Sequence, residues 1–189
     1  MRRGSPQLSI FPGGAGSGSP PEPAARGLRI ERIVSGGQTG ADRAGLDAAL
    51  RLGLPCGGWC PKDRRAEDGP IPARYPLQET RSSRYLDRTR RNVRDSDGTA
   101  VFSLGSVLSG GSLQTARYAQ ARGVPCLHLA RDGGDPDPAG RLRAFLEEHG
   151  IRCLNVAGSR ESREPGIHSW VESLLLEALG GAVQAPHPT

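Results

Sequence analysis

Two Ser-Gly-Gly segments hold the residues of this sequence best suited to chemistry. The first, SGGQTGAD, spans residues 35–42, and the second, SGGS, spans residues 109–112. Glycine tolerates positive φ angles and leaves room for an anion to approach the backbone. Each segment precedes a helix-like stretch, and the first N–H groups and the dipole of a helix attract negative charge. Together the two segments predict a binding site for a phosphorylated or similarly anionic ligand.

Other interpretations of the two segments remain open. Neither matches the GxGxxG or GK[ST] patterns, so ordinary dinucleotide binding and P-loop nucleotide binding are not indicated. Thr39 and Asp42 have the spacing of a helix-capping pair, and capping alone would explain both. Alternatively, Asp42 grips a ribose hydroxyl or acts as a catalytic base. Ser112 and Thr115 present the same choice between capping and function at the second segment.

A third candidate is the charged segment PKDRRAEDGPIP, residues 61–72, which we call the cover segment. Its Lys62 is the only lysine in the chain, beside 24 arginines. A compact ammonium can contact phosphate or serve as a base in ways that guanidinium cannot, so we predict that Lys62→Arg weakens ligand binding. Survival of one lysine by chance is the alternative. Glu67 and Asp68 could supply acid–base chemistry, although adjacent carboxylates are common in solvated loops.

The elements that must position these residues alternate along the chain. We predict strands at 28–34, 54–60, 98–104, 124–130 and 151–156, and helices at 41–52, 83–94, 112–122, 139–149 and 167–179. Such alternation predicts an α/β, Rossmann-like fold, a mostly parallel sheet with helices on both faces. Ligands of these folds bind beyond the carboxyl ends of the strands. Both Ser-Gly-Gly segments and the loop after Trp59 fall at that edge.

Composition divides the chain into three parts. Residues 1–27 contain 15 Gly, Pro or Ser and predict a disordered extension. We predict that residues 28–180 form the single ligand-binding domain and that residues 181–189 are a disordered tail. We find neither a signal-peptide core nor a membrane-length apolar stretch, so we expect no membrane association.

The cysteines indicate a reducing compartment. Four cysteines without a secretory signal fit reduced thiols, and we expect a cytoplasmic protein. Cys56 and Cys60 lack a second close pair of ligands, so no metal site is predicted.

The net charge of +5 and the pI of about 9.5 suggest a nucleic-acid partner. However, the arginines are mixed with 20 acidic residues, and aromatic residues make up only 4% of the chain. Stacking platforms for single strands are therefore not expected. A nucleic-acid module built on the basic helix at 83–94 is kept only as a third possibility.

Four segments together resemble a known family. In chain order they are SGGQTGADRAGLDAAL, GGWCPKDRRAEDGPIPARYPLQET, RNVRDSDGTAVF and SGGSLQTA. They resemble the putative molybdenum carrier family, which comprises the circularly permuted YpsA-like members of the SLOG superfamily. The resemblance is dense over residues 29–130. It implies a Rossmann-like fold related to the LOG (lysine-decarboxylase-like) proteins and a pocket for molybdenum cofactor or a nucleotide-derived ligand.

The resemblance also assigns site residues. It implies that the pocket is lined by Ser35, Gly36, Gly37, Gln38, Thr39, Gly40 and Asp42. It implies that the pocket is covered by Lys62, Arg64, Arg65, Glu67 and Asp68, and that phosphate is held by Gly110, Gly111 and Ser112. One departure concerns the LOG motif PGGxGTxxE, whose glutamate assists N-glycosidic cleavage. Arg117 stands at that position here, so hydrolysis by this route requires Asp42 or Glu67 as the catalytic group.

We therefore expect a binding protein, a carrier or sensor, for a small phosphorylated nucleotide-derived or molybdopterin-type ligand. The alternative is a nucleotide-processing hydrolase, a nucleoside-phosphate N-glycosidase in which Asp42 and Glu67 are catalytic. Domains of this kind usually associate, so we also expect a homo-oligomer.

Overall fold

A computed structural model describes residues 28–181 of the chain. The predicted extension at 1–27 and residues 182–189 of the predicted tail lie outside the described residues. The strands are β1 Arg32–Ser35, β2 Cys56–Gly57, β3 Trp59–Cys60, β4 Arg65–Ala66, β5 Gly69–Pro70, β6 Gln78–Glu79, β7 Gly98–Ser103, β8 Cys126–Ala130 and β9 Cys153–Gly158. The α-helices are α1 Ala41–Arg51, α2 Tyr85–Arg94, α3 Gly110–Ala121, α4 Pro138–Glu148 and α5 Ile167–Leu179.

The central sheet has five parallel strands in the order β2-β1-β9-β7-β8. Helices surround the sheet, which confirms the predicted Rossmann-like α/β class. The last strand of the chain, β9, lies between β1 and β7, and Ser35 pairs with Val156 in the register between β1 and β9. The strand order therefore reverses at β9. Ligands of such sheets bind at this reversal, beyond the carboxyl ends of the strands.

Helix α5 packs against both α1 and α4 on one side of the sheet. Their apolar faces share the main core with alternate strand residues such as Phe102 and Val156. The Phe102 ring meets the Trp170 ring of α5 edge to face, with centroids 6.0 Å apart, a favourable aromatic arrangement. On the other side, α3 lies against β7, β8 and β9, and α2 packs against α3.

The predicted second strand, residues 54–60, is split in the structure. Cys56–Gly57 joins the central sheet, whereas Trp59–Cys60 pairs with β6 in a separate two-stranded sheet. The break lies at Gly58, whose φ is 121°. A Cβ placed on Gly58 would be 2.4 Å from the carbonyl oxygen of Ser35, so only glycine permits this close approach.

The cover segment is more ordered than the long loop that the sequence predicts. It contains the short antiparallel pair β4–β5, and β6 follows it. A small second core of Leu46, Cys60, Ala66, Ile71, Tyr75 and Leu77 anchors the segment to α1. The cover segment is thereby fixed beside the first Ser-Gly-Gly loop.

Within residues 28–181, no helix is both long enough and apolar enough to cross a membrane.

Candidate functional site

A cavity lies at the carboxyl edge of the central sheet, at the reversal of strand order. It is lined by the first Ser-Gly-Gly loop, the start of α2, the second Ser-Gly-Gly loop with the start of α3, and the end of β9 with the turn that follows it, residues 159–163. Its volume is about 110 Å³. Pockets that enclose whole small-molecule ligands measure roughly 300–1,000 Å³, so this cavity accommodates only part of a nucleotide-sized molecule.

The glycines of the first Ser-Gly-Gly loop are packed against other protein atoms. A Cβ placed on Gly36 would lie 1.6 Å from Nη1 of Arg88. The equivalent atom on Gly37 would lie 2.5 Å from Leu77, and that on Gly40 would lie 2.4 Å from the Ser159 carbonyl. Gly37 and Gly40 also have positive φ angles, 72° and 76°. The protein itself therefore occupies the space beside the glycines of this loop.

Asp42, at the start of α1, is buried and paired with Arg88 of α2. Its Oδ2 accepts a hydrogen bond from Arg88 Nη1 at 2.7 Å and one from the Gln38 main-chain N–H at 3.3 Å. Only 3% of the Asp42 side chain is exposed. The N-cap of α1 is Gly40, without a side-chain capping bond, and the Thr39 hydroxyl donates to Glu67 instead. Capping of α1 therefore does not explain Thr39.

Gln38 is buried between the first loop and the cover segment, and it also lines the cavity. Its side-chain Oε1 accepts hydrogen bonds from the main-chain N–H groups of Thr39 and Glu67, both at 3.0 Å. Its Nε2 is buried and has no hydrogen-bond partner among residues 28–181.

Glu67 connects three segments at the edge of the site. Its carboxylate accepts hydrogen bonds from the Thr39 and Ser162 hydroxyls, the latter at 2.7 Å, and Arg160 Nη1 lies 3.7 Å away. Burial acts to raise the pKa of Glu67, but the hydrogen bonds from Ser162 and Thr39 outweigh it, and the pKa is lowered. Glu67 is thus held as a carboxylate that fastens the cover segment down.

Asp68 makes a two-pronged ion pair with Arg43 of α1, in which Arg43 Nη2 lies 2.7 Å from Oδ1. The hydrogen bonds from Arg43 lower the pKa of Asp68. Glu67 and Asp68 therefore secure the cover segment beside the cavity, and neither belongs to the cavity lining.

The basic residues of the cover segment lie outside the cavity lining. The Arg64 guanidinium donates to four main-chain carbonyls, those of Ile71, Pro72, Tyr75 and Leu77, and so holds the 71–77 stretch in place. Arg65 is exposed, with its guanidinium 5.7 Å from the ring centroid of Tyr85. Lys62 is exposed, and its side chain forms no ion pair within the described residues.

The second Ser-Gly-Gly loop is open where the first is filled. Among the described atoms, none lies within 4 Å of a Cβ placed on Gly111 beyond its own helix and chain neighbours. At Gly110, whose φ is 51°, only Arg163 comes near, with Nη1 at 3.4 Å. The N-cap of α3 is Ser109, which makes no side-chain capping bond. Ser112 is buried and lines the cavity.

Arginines surround this open loop. Arg163 lines the cavity and has no acidic partner in residues 28–181. Arg160 also lines it and lies over the Tyr85 ring, 4.8 Å from the centroid. Asp42 is the only carboxylate among the lining residues that the structure describes, and Arg88 neutralises it. The cavity is consequently suited to a negatively charged group.

The sequence missed the turn that follows β9 and the start of α2. Ser159, Arg160 and Arg163 come from that turn, and Tyr85 and Arg88 come from α2. Ligands bind beyond the carboxyl ends of the strands, so the residues after the predicted strand at 151–156 were also candidates. The sequence does not indicate, however, that this last strand lies in the middle of the sheet. Arg117, by contrast, is exposed on α3 and does not line the cavity.

The part of the chain that the structure describes contains no group of three or more His, Cys, Asp or Glu residues placed to hold a metal ion. Cys56, Cys60, Cys126 and Cys153 are all free thiols.

Comparison with known proteins shows the family of the chain. The profile of the "circularly permutated YpsA SLOG family" matches residues 33–179. The chain is also similar to a protein of known crystal structure, the "putative molybdenum carrier protein" from Syntrophus aciditrophicus SB. The two are 44% identical over 80% of this chain and 96% of that one, with a TM-score of 0.78. No curated protein matches. The chain therefore belongs to the circularly permutated YpsA SLOG family.

Proposed function

We propose that the protein binds a phosphorylated ligand of the nucleotide-derived or molybdopterin type and acts as a carrier or sensor. The observation that carries the proposal is the open N-terminus of α3 beside Arg163, which has no acidic partner among the described residues. Unpaired N–H groups at a helix start, together with a free guanidinium, favour an anion such as phosphate. The name of the similar protein supports a molybdenum-related ligand.

The phosphate would lie at the second Ser-Gly-Gly loop, where Gly111 leaves space close to the backbone. The main-chain N–H groups of Gly111 and Ser112 would donate to its oxygens, and Arg163 would balance its charge. The remainder of the ligand would extend out of the cavity, because about 110 Å³ holds only part of such a molecule.

Hydrolysis receives less support from the geometry. The two carboxylates considered for catalysis are both engaged, Asp42 by Arg88 and Glu67 by Ser162 and Thr39. A general base needs a carboxylate within reach of the reacting atoms. If hydrolysis nevertheless occurs, free base is released from AMP by the wild type, and Asp42→Asn abolishes the release.

Isothermal titration with molybdenum cofactor, ADP-ribose and AMP tests binding. We expect the wild type to bind at least one of them, and Arg163→Gln to weaken that affinity about tenfold, as for the loss of one charge-assisted hydrogen bond. Arg122→Gln is the matched control, because Arg122 is exposed at the opposite end of α3, away from the cavity. Dissociation constants above about 1 mM for all three ligands would reject the proposal, since this corresponds to only about 4 kcal/mol.

We further propose a cytoplasmic location. Its support is the set of four free thiols, which persist where the compartment is reducing. Burial raises the pKa of Cys126 to about 11, so this thiol stays protonated and unreactive at neutral pH.

A further inference from the structure

We propose that Gln38 determines specificity in this site by donating a side-chain hydrogen bond to an oxygen acceptor of the ligand. The inference rests on the proposed function, and it adds a chemical requirement. The part of the ligand that meets Gln38 must carry an acceptor oxygen, such as a carbonyl, carboxylate or phosphoryl oxygen, and not a donor.

The orientation of the Gln38 amide is fixed by the protein. Its Oε1 accepts from two main-chain donors, the N–H groups of Thr39 and Glu67, both at 3.0 Å. A flip of the amide would set the Nε2 donors against these two N–H groups, which leaves every one of them unpaired. The protein therefore occupies Oε1 of Gln38, and the two Nε2 hydrogens are the part of the amide that is left to bind a ligand.

Those hydrogens have no partner within residues 28–181, and the second unpaired donor belongs to another residue that lines the cavity. Three buried side-chain polar atoms lack a hydrogen bond within residues 28–181: Gln38 Nε2, Arg88 Nε and Glu172 Oε1. Glu172 Oε1 still lies 3.1 Å from Arg51 Nε in an ion pair. The two remaining atoms are both donors, and both of their residues line the cavity. Since buried donors are rarely left unpaired, their coincidence indicates an absent acceptor.

Within residues 28–181, no acceptor forms a hydrogen bond with Gln38 Nε2 or with Arg88 Nε. Asp42, the only carboxylate in the lining, already accepts from Arg88 Nη1 and from the Gln38 main-chain N–H. Gln38 is also buried, since only 4% of the residue is accessible to solvent. An oxygen from a bound molecule is what completes the site.

Gln38→Glu is the most direct variant. A glutamate keeps an oxygen for the Thr39 and Glu67 N–H groups and replaces the donor with a second acceptor. We expect its dissociation constant for ADP-ribose or AMP to exceed that of the wild type at least tenfold at pH 8. As the pH falls toward 4.5, the carboxyl becomes protonated and regains a donor, so the ratio of the two constants should shrink. Gln38→Met, which has no donor at any pH, should show the loss without the recovery.

A measurement on the wild type covers the case in which the variants fail to fold. The Nε2 hydrogens of Gln38 give their own NMR signals in ¹⁵N-labelled protein, and addition of ADP-ribose or AMP should shift them. Shifts together with the tenfold loss support the inference. Unchanged signals, or Gln38→Glu within twofold of the wild type, overturn it and indicate that a buried water alone pairs with Nε2. In that case wild-type binding that still depends on Arg163 leaves the proposed function standing, whereas no wild-type binding of molybdenum cofactor, ADP-ribose or AMP rejects both.

Discussion

The two Ser-Gly-Gly loops have the same sequence pattern and lie at the same edge of the sheet, yet they use glycine for opposite reasons. In the first, each glycine position is crowded by the protein itself, with Arg88 against Gly36 and Ser159 against Gly40. In the second, Gly111 borders open space, and only Arg163 comes near Gly110. Protein atoms fill the space beside the glycines of the first loop, whereas the space beside Gly111 in the second loop is open.

The contents of the first loop explain the difference. The Arg88 guanidinium lies on Gly36 and pairs with Asp42 at 2.7 Å. A cation therefore stands where the sequence pattern suggests room for a ligand anion. This buried pair fills the space beside the first loop, although Gln38 of that loop still lines the cavity. The anion-binding role that we propose therefore falls to the second loop. A glycine-rich turn after a strand thus indicates close approach, but it does not tell whether a ligand or a side chain approaches.

Alanine substitutions at one glycine of each loop give the largest expected contrast. Gly40→Ala would place a Cβ 2.4 Å from a main-chain oxygen at a φ of 76°. We expect a loss of about 4 kcal/mol in the free energy of unfolding, from overpacking combined with a left-handed backbone. Gly111→Ala lies within a helix in open space, and we expect a gain of about 0.5 kcal/mol. Urea denaturation followed by circular dichroism measures both.

Ligand affinity gives a second test of the contrast between the two loops. Gly111→Ala keeps the fold but introduces a methyl group where the phosphate is proposed to lie, so its affinity for AMP or ADP-ribose should fall severalfold. If Gly111→Ala destabilised the protein as much as Gly40→Ala, the second loop would be packed like the first. The contrast between the loops would then fail.

The fold was largely readable from the sequence because apolar periodicity and turn residues are local signals. Helix α5 was predicted at residues 167–179, and the structure places it at Ile167–Leu179. The buried strand predicted at 98–104 is β7, Gly98–Ser103, in which every residue is buried. The split of residues 54–60 was not predicted, because it depends on the approach of the Ser35 carbonyl to Gly58.

The site was less readable, because its contacts join residues far apart in the chain. The sequence brought the two Ser-Gly-Gly loops to one edge, and the structure places Gln38, Asp42, Gly111 and Ser112 around one cavity. The pairing of Arg88 with Asp42 spans 46 residues, and no local pattern indicates it. For the same reason Arg64, chosen as a ligand contact, has its guanidinium bound to carbonyls of its own neighbourhood.

Glu67→Gln gives a smaller, pH-dependent test of the contacts between the cover segment and the first Ser-Gly-Gly loop. Glu67→Gln should lower the free energy of unfolding by about 1 kcal/mol at pH 7, because it weakens the hydrogen bonds from Ser162 and Thr39. The pKa of Glu67 is lowered in the folded protein, so its contribution is present above the unfolded value of about 4.3 and is lost as the pH falls below it. The difference between wild type and variant should therefore shrink as the pH falls below about 4.3 and through the lowered folded-state pKa.

Urea denaturation at several pH values measures this difference, and Glu148→Gln is a suitable control because Glu148 is exposed at the end of α4. A difference that persisted at low pH would mean that Glu67 contributes through packing and not through its charge.

Lys62→Arg should have the smallest effect on stability and affinity. It tests whether the cover segment only packs beside the first Ser-Gly-Gly loop or also contacts the ligand. Lys62 is exposed and lies outside the cavity lining, and substitutions at such positions usually change stability by less than about 0.5 kcal/mol. From this position we expect ligand affinity within twofold of the wild type in isothermal titration. The lone lysine of the sequence predicts the opposite, a weakened affinity with charge retained. A tenfold loss of affinity would indicate that the cover segment contacts the ligand. Only a ligand that extends beyond the cavity could reach the exposed ammonium and distinguish it from a guanidinium.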